Sequence, residues 1–202
     1  MSDSSVAATT GVLLAAGAGT RLGRGPKALL PFQGRTLVEV LSDVLLDGGC
    51  TDVVVVLGAE AERVRATVDL GQHRTVENTD WAKGMAGSFR AGVAAAANGS
   101  NVLVALVDQP GLTPEAVSRL LERHHPGRVT AAAYPDVSGK LHRRHPVIID
   151  AGLRAEAAEA ANGDTGARSF LKAHPGLVDL VDCSDLCSGD DLDTKDQLHL
   201  LG

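Results

Sequence analysis

Two rhythms of apolar residues alternate along the chain. Gly11 to Ala16, Val53 to Leu57 and Val102 to Val107 are short, uninterrupted apolar runs, the pattern of strands buried on both faces. Between them, apolar residues recur at helical spacing, as in Leu37, Val40, Leu41, Val44 and Leu45. Thr36 and Glu39 form a capping box at the start of that stripe, and Gly48-Gly49 stops it. Glu60 to Val68 and Met85 to Ala97 read as further helices, and Arg74 to Glu77 as a brief strand. Thr113 suits a cap and Pro114 the first position of the helix it opens. The rhythm then weakens. Val129 to Ala133 reads as a strand, Tyr134 to Gly139 as a turn, and Pro146 to Ile149 as a strand whose proline suits an edge or an entry position. Helices are expected over Ala151 to Ala161 and Ala167 to His174, with a short one after Asp193.

This order predicts a single-domain, three-layer α/β/α fold over residues 11–202, with a mostly parallel, Rossmann-like open sheet. Met1 to Thr10, polar and small, is expected to be a disordered tail. In such sheets ligands bind beyond the carboxyl ends of the strands. The loops after Ala16, Leu57, Glu77 and Val107 should therefore meet at one crevice.

Composition narrows the class. The chain has 202 residues, enough to bury a core without staples. Aromatic residues are only 2%, so Val, Leu, Ile and Ala must fill that core and let helices lie close to the sheet. The net charge of −6 argues against a nucleic-acid partner, which needs a basic face. No apolar run approaches the roughly 20 residues of a membrane span. The N-terminus lacks the architecture of a signal peptide, and the three cysteines make no disulfide framework. A soluble, cytoplasmic protein without a membrane partner is expected.

The loop Leu14-Ala15-Ala16-Gly17-Ala18-Gly19-Thr20-Arg21-Leu22-Gly23-Arg24-Gly25-Pro26-Lys27 carries the clearest chemistry. Glycine-rich turns let backbone N–H groups close on phosphate oxygens, and Arg21 and Lys27 add charge. Leu22 stands where a dinucleotide fingerprint needs its third glycine, and Pro26 breaks a Walker A match. Pro26 also disfavours direct entry into a helix, so the loop is expected to stay extended. Asp108, at the end of a buried strand, projects into the crevice as a Mg²⁺ ligand or else only shapes the turn before Thr113.

These residues resemble the MobA-like nucleotidyltransferases. The resemblance rests on the loop from Ala15 to Gly23 with Pro26-Lys27-Ala28-Leu29-Leu30, then Asn78 and Trp81 to Ser88, and Asp108-Gln109-Pro110. It continues through His145-Pro146-Val147, Gly163 to Arg168, and Asp191-Leu192-Asp193-Thr194. The pattern is most similar to the molybdenum cofactor cytidylyltransferase branch. It implies transfer of a nucleoside monophosphate, with CTP favoured as donor, to a molybdopterin-type phosphate acceptor. Pyrophosphate is released, and a molybdoenzyme receives the product.

By the same resemblance Arg21, Lys27 and Asp108 are catalytic. Leu14, Ala15, Ala16, Gly17, Gly19, Thr20, Asn78, Gly84 and Ser88 hold the nucleotide, and Asp108 and Asp193 hold Mg²⁺ or Mn²⁺. Residue by residue, alternatives remain. Asp193 or Thr194 can cap the last helix, Asn78 can hold its own turn, and Ser88 can be a packed cap. His142-Arg143-Arg144-His145 is either a basic patch for an anionic second substrate or a solvated turn. Gly163 to Arg168 is a tight turn that can face that substrate. A guanylyltransferase, a sugar-phosphate nucleotidyltransferase and a non-catalytic nucleotide-binding accessory protein are the competing functions.

Overall fold

Each uninterrupted apolar run lies in the middle of one sheet, where helices cover both faces. The computed structural model describes residues 8–202. The chain runs through β1 (Thr9–Leu14), β2 (Pro31–Phe32), β3 (Arg35–Thr36), α1 (Leu37–Asp47), β4 (Asp52–Leu57), α2 (Ala61–Thr67) and β5 (Arg74–Glu77). It continues through α3 (Met85–Ala95), β6 (Asn101–Leu106), α4 (Pro114–Glu122), β7 (Val129–Pro135), β8 (Leu141–Ile149), α5 (Arg154–Ala160), α6 (Arg168–Ala173) and β9 (Val178–Asp182). A 3₁₀ helix, Lys195–Leu201, follows near the C-terminus.

The main sheet has seven strands in the order β5-β4-β1-β6-β8-β7-β9. Only β8 runs antiparallel to its neighbours, so the sheet is mostly parallel, as the alternation of elements predicts. The strand period of two sorts the core. Leu13, Val55 and Leu103 meet α1, α2 and α4 on one face. Val12, Val56 and Val104 meet α3, α5 and α6 on the other. No helix is long and apolar enough to cross a membrane among the described residues.

Three expectations change. Thr9 and Thr10 belong to β1 rather than to a tail, because the buried Thr10 hydroxyl bonds to Asp52 at 2.7 Å and Ser100 at 3.0 Å. The rest of the expected tail, residues 1–7, lies outside the described residues. Pro146 lies within an internal strand rather than at an edge or an entry. It falls where the β7–β8 register jumps between Ala131↔Val147 and Ala133↔Arg143, an interruption in which its missing N–H is not needed. His142 to His145 therefore form strand and bulge, not a surface turn.

The sequence pattern also passes over two pieces. The β2–β3 hairpin turns on Gln33 and Gly34, both at positive φ, without the Asn-Gly signature of such turns. β9 is a half-exposed edge strand interrupted by Asp179, so it shows no apolar run.

The close approach of α3 to the sheet has a sharp consequence at Gly92. A Cβ there would lie 2.3 Å from Val12 Cγ1, a buried branched side chain on the central strand. Helix propensity favours Gly→Ala by about 1 kcal/mol, but overpacking a core costs about 1–3 kcal/mol. Gly92→Ala should therefore lower stability in urea denaturation, and a stabilised variant would show that α3 stands further from the sheet.

Candidate active site

The loop after β1 is folded back on itself rather than extended. Leu22 N–H and Gly23 N–H both donate to the Gly19 carbonyl, at 3.1 and 3.2 Å. Gly19 has φ +62°, and a Cβ on it would lie 2.2 Å from the Gly25 carbonyl oxygen, so the turn requires glycine. Leu22 anchors the loop by full burial in the core. The restriction imposed by Pro26 falls on the residue before it, Gly25 at φ +81°, and leaves Lys27–Leu29 free to form a 3₁₀ turn at once. Buried Ala28 fixes that turn, and Lys27 projects from its start toward the end of β6.

Lys27 meets two carboxylates. Its Nζ donates to Asp108 Oδ2 at 2.9 Å and to Asp193 Oδ1 at 2.7 Å. Asp193 comes from the far end of the chain, held by a strap of two hydrogen bonds. Leu192 N–H donates to the Asp108 carbonyl at 2.7 Å, and Gln109 Nε2 donates to Asp191 Oδ1 at 2.9 Å. Thr194 supplies the capping box of the last helix with Gln197, so the carboxylate of Asp193 is not the cap. Arg21, 79% exposed, stands 3.9 Å from Asp193 at the rim.

The electrostatics follow from burial and pairing. Desolvation is the largest single influence on Lys27 and opposes its charge. The Asp108 charge and the hydrogen bonds that Nζ donates to both carboxylates outweigh it and hold the ammonium above the usual lysine range. The hydrogen bond from Lys27 holds Asp193 below the usual carboxylate range. Asp191 is displaced the other way, chiefly by burial, although Gln109 and Arg144 partly offset this.

Two cavities adjoin at this point. One, of about 250 Å³, is lined by Leu14, Ala16, Gly17, Lys27, Gly84, Ser88 and Asp108 among the expected residues, and also by Trp81. The expected residues outside its lining are Ala15, which is buried in the core, Gly19, Thr20 and Arg21 in the exposed turn, Asn78, and Asp193. Asn78 holds its own turn. It accepts from Asp80 N–H at 3.1 Å and donates to the Ser88 hydroxyl at 3.0 Å. The second cavity, about 480 Å³, shares Leu14, Met85, Leu106 and Asp164 with the first and extends between β8 and α6. Gly84, at φ +114°, makes the junction possible, because a Cβ there would lie 2.5 Å from the Gly163 backbone.

The donor set suits a divalent cation with phosphate ligands. Among the described residues no group of three or more His, Cys, Asp or Glu side chains can hold a metal alone. Mg²⁺, however, is usually held by one or two carboxylates plus substrate phosphates. Asp108 Oδ1 is buried without any hydrogen-bond partner, an acceptor left over for such a ligand.

Gln109 and Asp191 received no role from the sequence. Their signal is the alternation Asp191-Leu192-Asp193, with Leu192 fully buried between two carboxylates turned toward the crevice.

A family model described as MobA-like NTP transferase domain matches residues 11–178. The chain is 54% identical over 203 residues, 100% of both chains, to the nicotine blue oxidoreductase of Paenarthrobacter nicotinovorans. It is 28% identical over 161 residues to a molybdenum cofactor guanylyltransferase of Xanthomonas euvesicatoria pv. vesicatoria, covering 80% of this chain and 75% of that one. The manganese complex of Rv0371c from Mycobacterium tuberculosis H37Rv has a similar structure, with a TM-score of 0.77 and 27% identity over 96% of this chain and 98% of that one.

The triad of charges makes stability depend on pH with a defined sign. Asp193, depressed when folded, contributes above the unfolded aspartate value of about 3.9 and loses that contribution as pH falls through its folded value. Lys27, raised when folded, contributes below about 10.4 and loses it as pH rises further. Asp193→Asn should therefore melt below the wild type at neutral pH, with the gap closing as pH falls from the unfolded aspartate value of about 3.9 through the lower folded one. Melting curves across that range test this, and a gap of constant size would remove the ion pair as its source.

Proposed function

The chain belongs to the MobA-like NTP transferase domain family, and from that premise we propose that it transfers CMP from CTP to the terminal phosphate of a molybdopterin-type acceptor. The observation that carries this reading is the Lys27 ammonium, held charged between Asp108 and Asp193 at the wall of the smaller cavity. An acceptor phosphate oxygen attacks the α-phosphorus, the bond from that phosphorus to the β-bridging oxygen breaks, and pyrophosphate leaves. Such a reaction asks for alignment and charge neutralisation more than covalent help.

Lys27 donates to an α-phosphate oxygen as its charge grows. Arg21, exposed at the rim, grips the outer phosphates with its planar fork. Asp108 and Asp193 would hold Mg²⁺ or Mn²⁺, whose charge neutralises the triphosphate. Gly17 and Gly84 both line the smaller cavity, where the cytosine base would approach the backbone. Backbone N–H groups at the start of α3 are free to read its edge.

Pyrophosphate release with molybdopterin, Mg²⁺ and each nucleotide tests this. CTP should exceed GTP in kcat/KM by about tenfold or more. Asp108→Asn should keep the fold and lose about 100-fold or more in turnover. Lys27→Ala should lower kcat more than nucleotide affinity, whereas Arg21→Ala should also raise the nucleotide KM. Preference for GTP would convert the assignment to a guanylyltransferase. Absence of pyrophosphate with every nucleotide would leave the binding-protein reading.

The full-length identity of 54% to a nicotine blue oxidoreductase favours one second reading, reduction of an aromatic dye. The smaller cavity would then hold the nucleotide part of a reduced nicotinamide dinucleotide, and the larger one the dye. Consumption of NADH or NADPH that depends on nicotine blue, without pyrophosphate release from any nucleotide, would establish it over transfer.

A further inference from the structure

Between the turn after β9 and the last 3₁₀ helix, residues 187–193 run without helix or strand. Such a segment has few backbone bonds to hold it, yet it brings Asp193 to within 2.7 Å of Lys27. Its fixings are specific. Gly189, at φ +68°, crosses the Tyr134 ring so closely that a Cβ there would lie 2.4 Å from it. Leu192 is fully buried, and its N–H donates to the Asp108 carbonyl at 2.7 Å. Gln197 Oε1 accepts from the N–H groups of Asp193 and Thr194 at 2.8 and 2.9 Å. A side-chain pair completes the set: Gln109 Nε2 donates to Asp191 Oδ1 at 2.9 Å.

Gln109 follows Asp108 directly in the turn after β6, is 3% exposed, and has an Oε1 without a hydrogen-bond partner. A buried amide satisfied on one side only costs stability, so packing alone would favour an apolar side chain there. What the amide supplies is a neutral donor. Asp191 is half-buried, and after that burial the charges of Asp108 and Asp193 also oppose its ionisation. Three carboxylates therefore gather beside one turn and repel one another. A lysine or arginine at position 109 would hold Asp191 more strongly, but it would compete with Lys27 for Asp108 and Asp193. The amide holds Asp191 without adding a cation. Arg144, 53% exposed, reaches the other Asp191 oxygen at 3.4 Å, so the buried amide is the tighter hold.

We propose that Gln109 is a positioning residue: through Asp191 it fixes the course of the segment 191–193, so that the Asp193 carboxylate arrives at Lys27 Nζ. Asp191 and Asp193 flank the buried Leu192, and a shift of the segment that frees Asp191 also withdraws Asp193. The amide bonds to Asp191 and acts on the lysine only through it. The proposal rests on reading Lys27 and Asp193 as parts of the transfer site, and it deepens that reading by naming the residue that aims Asp193.

The test is hydrogen exchange of the full chain, read by mass spectrometry, for Gln109→Met, Asp191→Ala and the two combined. Each single variant should speed exchange over residues 187–194 about tenfold or more, with the amides of β1 and β6 unchanged. The combined variant should be no faster than either single one, because the two residues act as a unit. Gln109→Glu should also loosen the segment, by repulsion from Asp191. Gln109→Glu with Asp191→Asn reverses donor and acceptor and should restore protection, which mere filling of space would not do. If Gln109→Met does not fold, Asp191→Ala and the reversed pair carry the test. Titration with Mn²⁺ in the presence of CTP should show about tenfold weaker metal binding in each loosened variant, recovered in the reversed pair. Unchanged exchange in both single variants, additive effects in the combined one, or no rescue by the reversed pair would overturn the positioning role. Faster exchange with unaltered Mn²⁺ affinity would remove Asp193 from the metal site and leave the positioning role standing.

Discussion

An ammonium that has lost most of its water must be given negative charge, and the arrangement around Lys27 follows from that requirement. Its Nζ is only partly hydrated and lies between Asp108 and Asp193, which stand 81 and 166 residues away in sequence. Removing a charge from water costs several kcal/mol unless pairing and hydrogen bonds replace the hydration. Asp108 is supplied by the end of the central strand β6. Asp193 is supplied by a C-terminal segment with no place in the sheet, so the strap through Leu192 and Gln109 has to exist. The same ammonium thus ties together the glycine-rich loop, the sheet and the chain end.

The pairing around Lys27 also sets the terms on which a ligand enters. A triphosphate approaching Lys27 finds the cation already neutralised by two carboxylates. It can take the lysine only if those carboxylates acquire another positive partner. A divalent cation arriving with the phosphates would provide one, and Asp108 Oδ1 is a buried acceptor without a hydrogen-bond partner. Arg21 is different in kind. At 79% exposure it is hardly desolvated, so it can move to an outer phosphate at little cost.

How much of this was legible depended on whether a residue's environment was local. The first half of the fold could be read because β1, β4 and β6 are buried on both faces and announce themselves as apolar runs. Thr36 and Thr113 cap their helices through partners three residues away, which sequence spacing displays directly. β8 was misjudged because its first half, His142 to His145, is an unbroken polar run, and only the bulge against β7 makes room for a proline inside a sheet. The loop after β1 was legible as a glycine-rich turn but not in shape, since the Gly19 turn depends on its fit against the Gly25 carbonyl. Lys27, Asp108 and Asp193 were each legible as chemistry. Thr194 was legible as one of two candidate caps, with Gln197 three residues on. The mutual contact of Lys27, Asp108 and Asp193 was not, because no local pattern records a strap from the chain end.

The two adjoining cavities explain how one scaffold can carry relatives named for different reactions. A fold fixes where ligands meet, and the side chains at that meeting point fix what happens there. Here the smaller cavity presents a lysine and carboxylates, and the larger presents apolar side chains together with arginines, histidines and the carboxylates of Asp164 and Asp191. Binding a nucleotide beside a flat partner is common to phosphoryl chemistry and to electron transfer between stacked rings. The distinguishing requirement is charge. Nucleotidyl transfer develops negative charge at one phosphorus, and only a preorganised cation at that position lowers its barrier. A hydride reaction develops no such charge at a phosphate, so a lysine held between two carboxylates would add nothing to its chemical step. The buried pairing of Lys27 is costly to build and is aimed into the smaller cavity. That is the physical reason to rank transfer ahead of reduction for this chain.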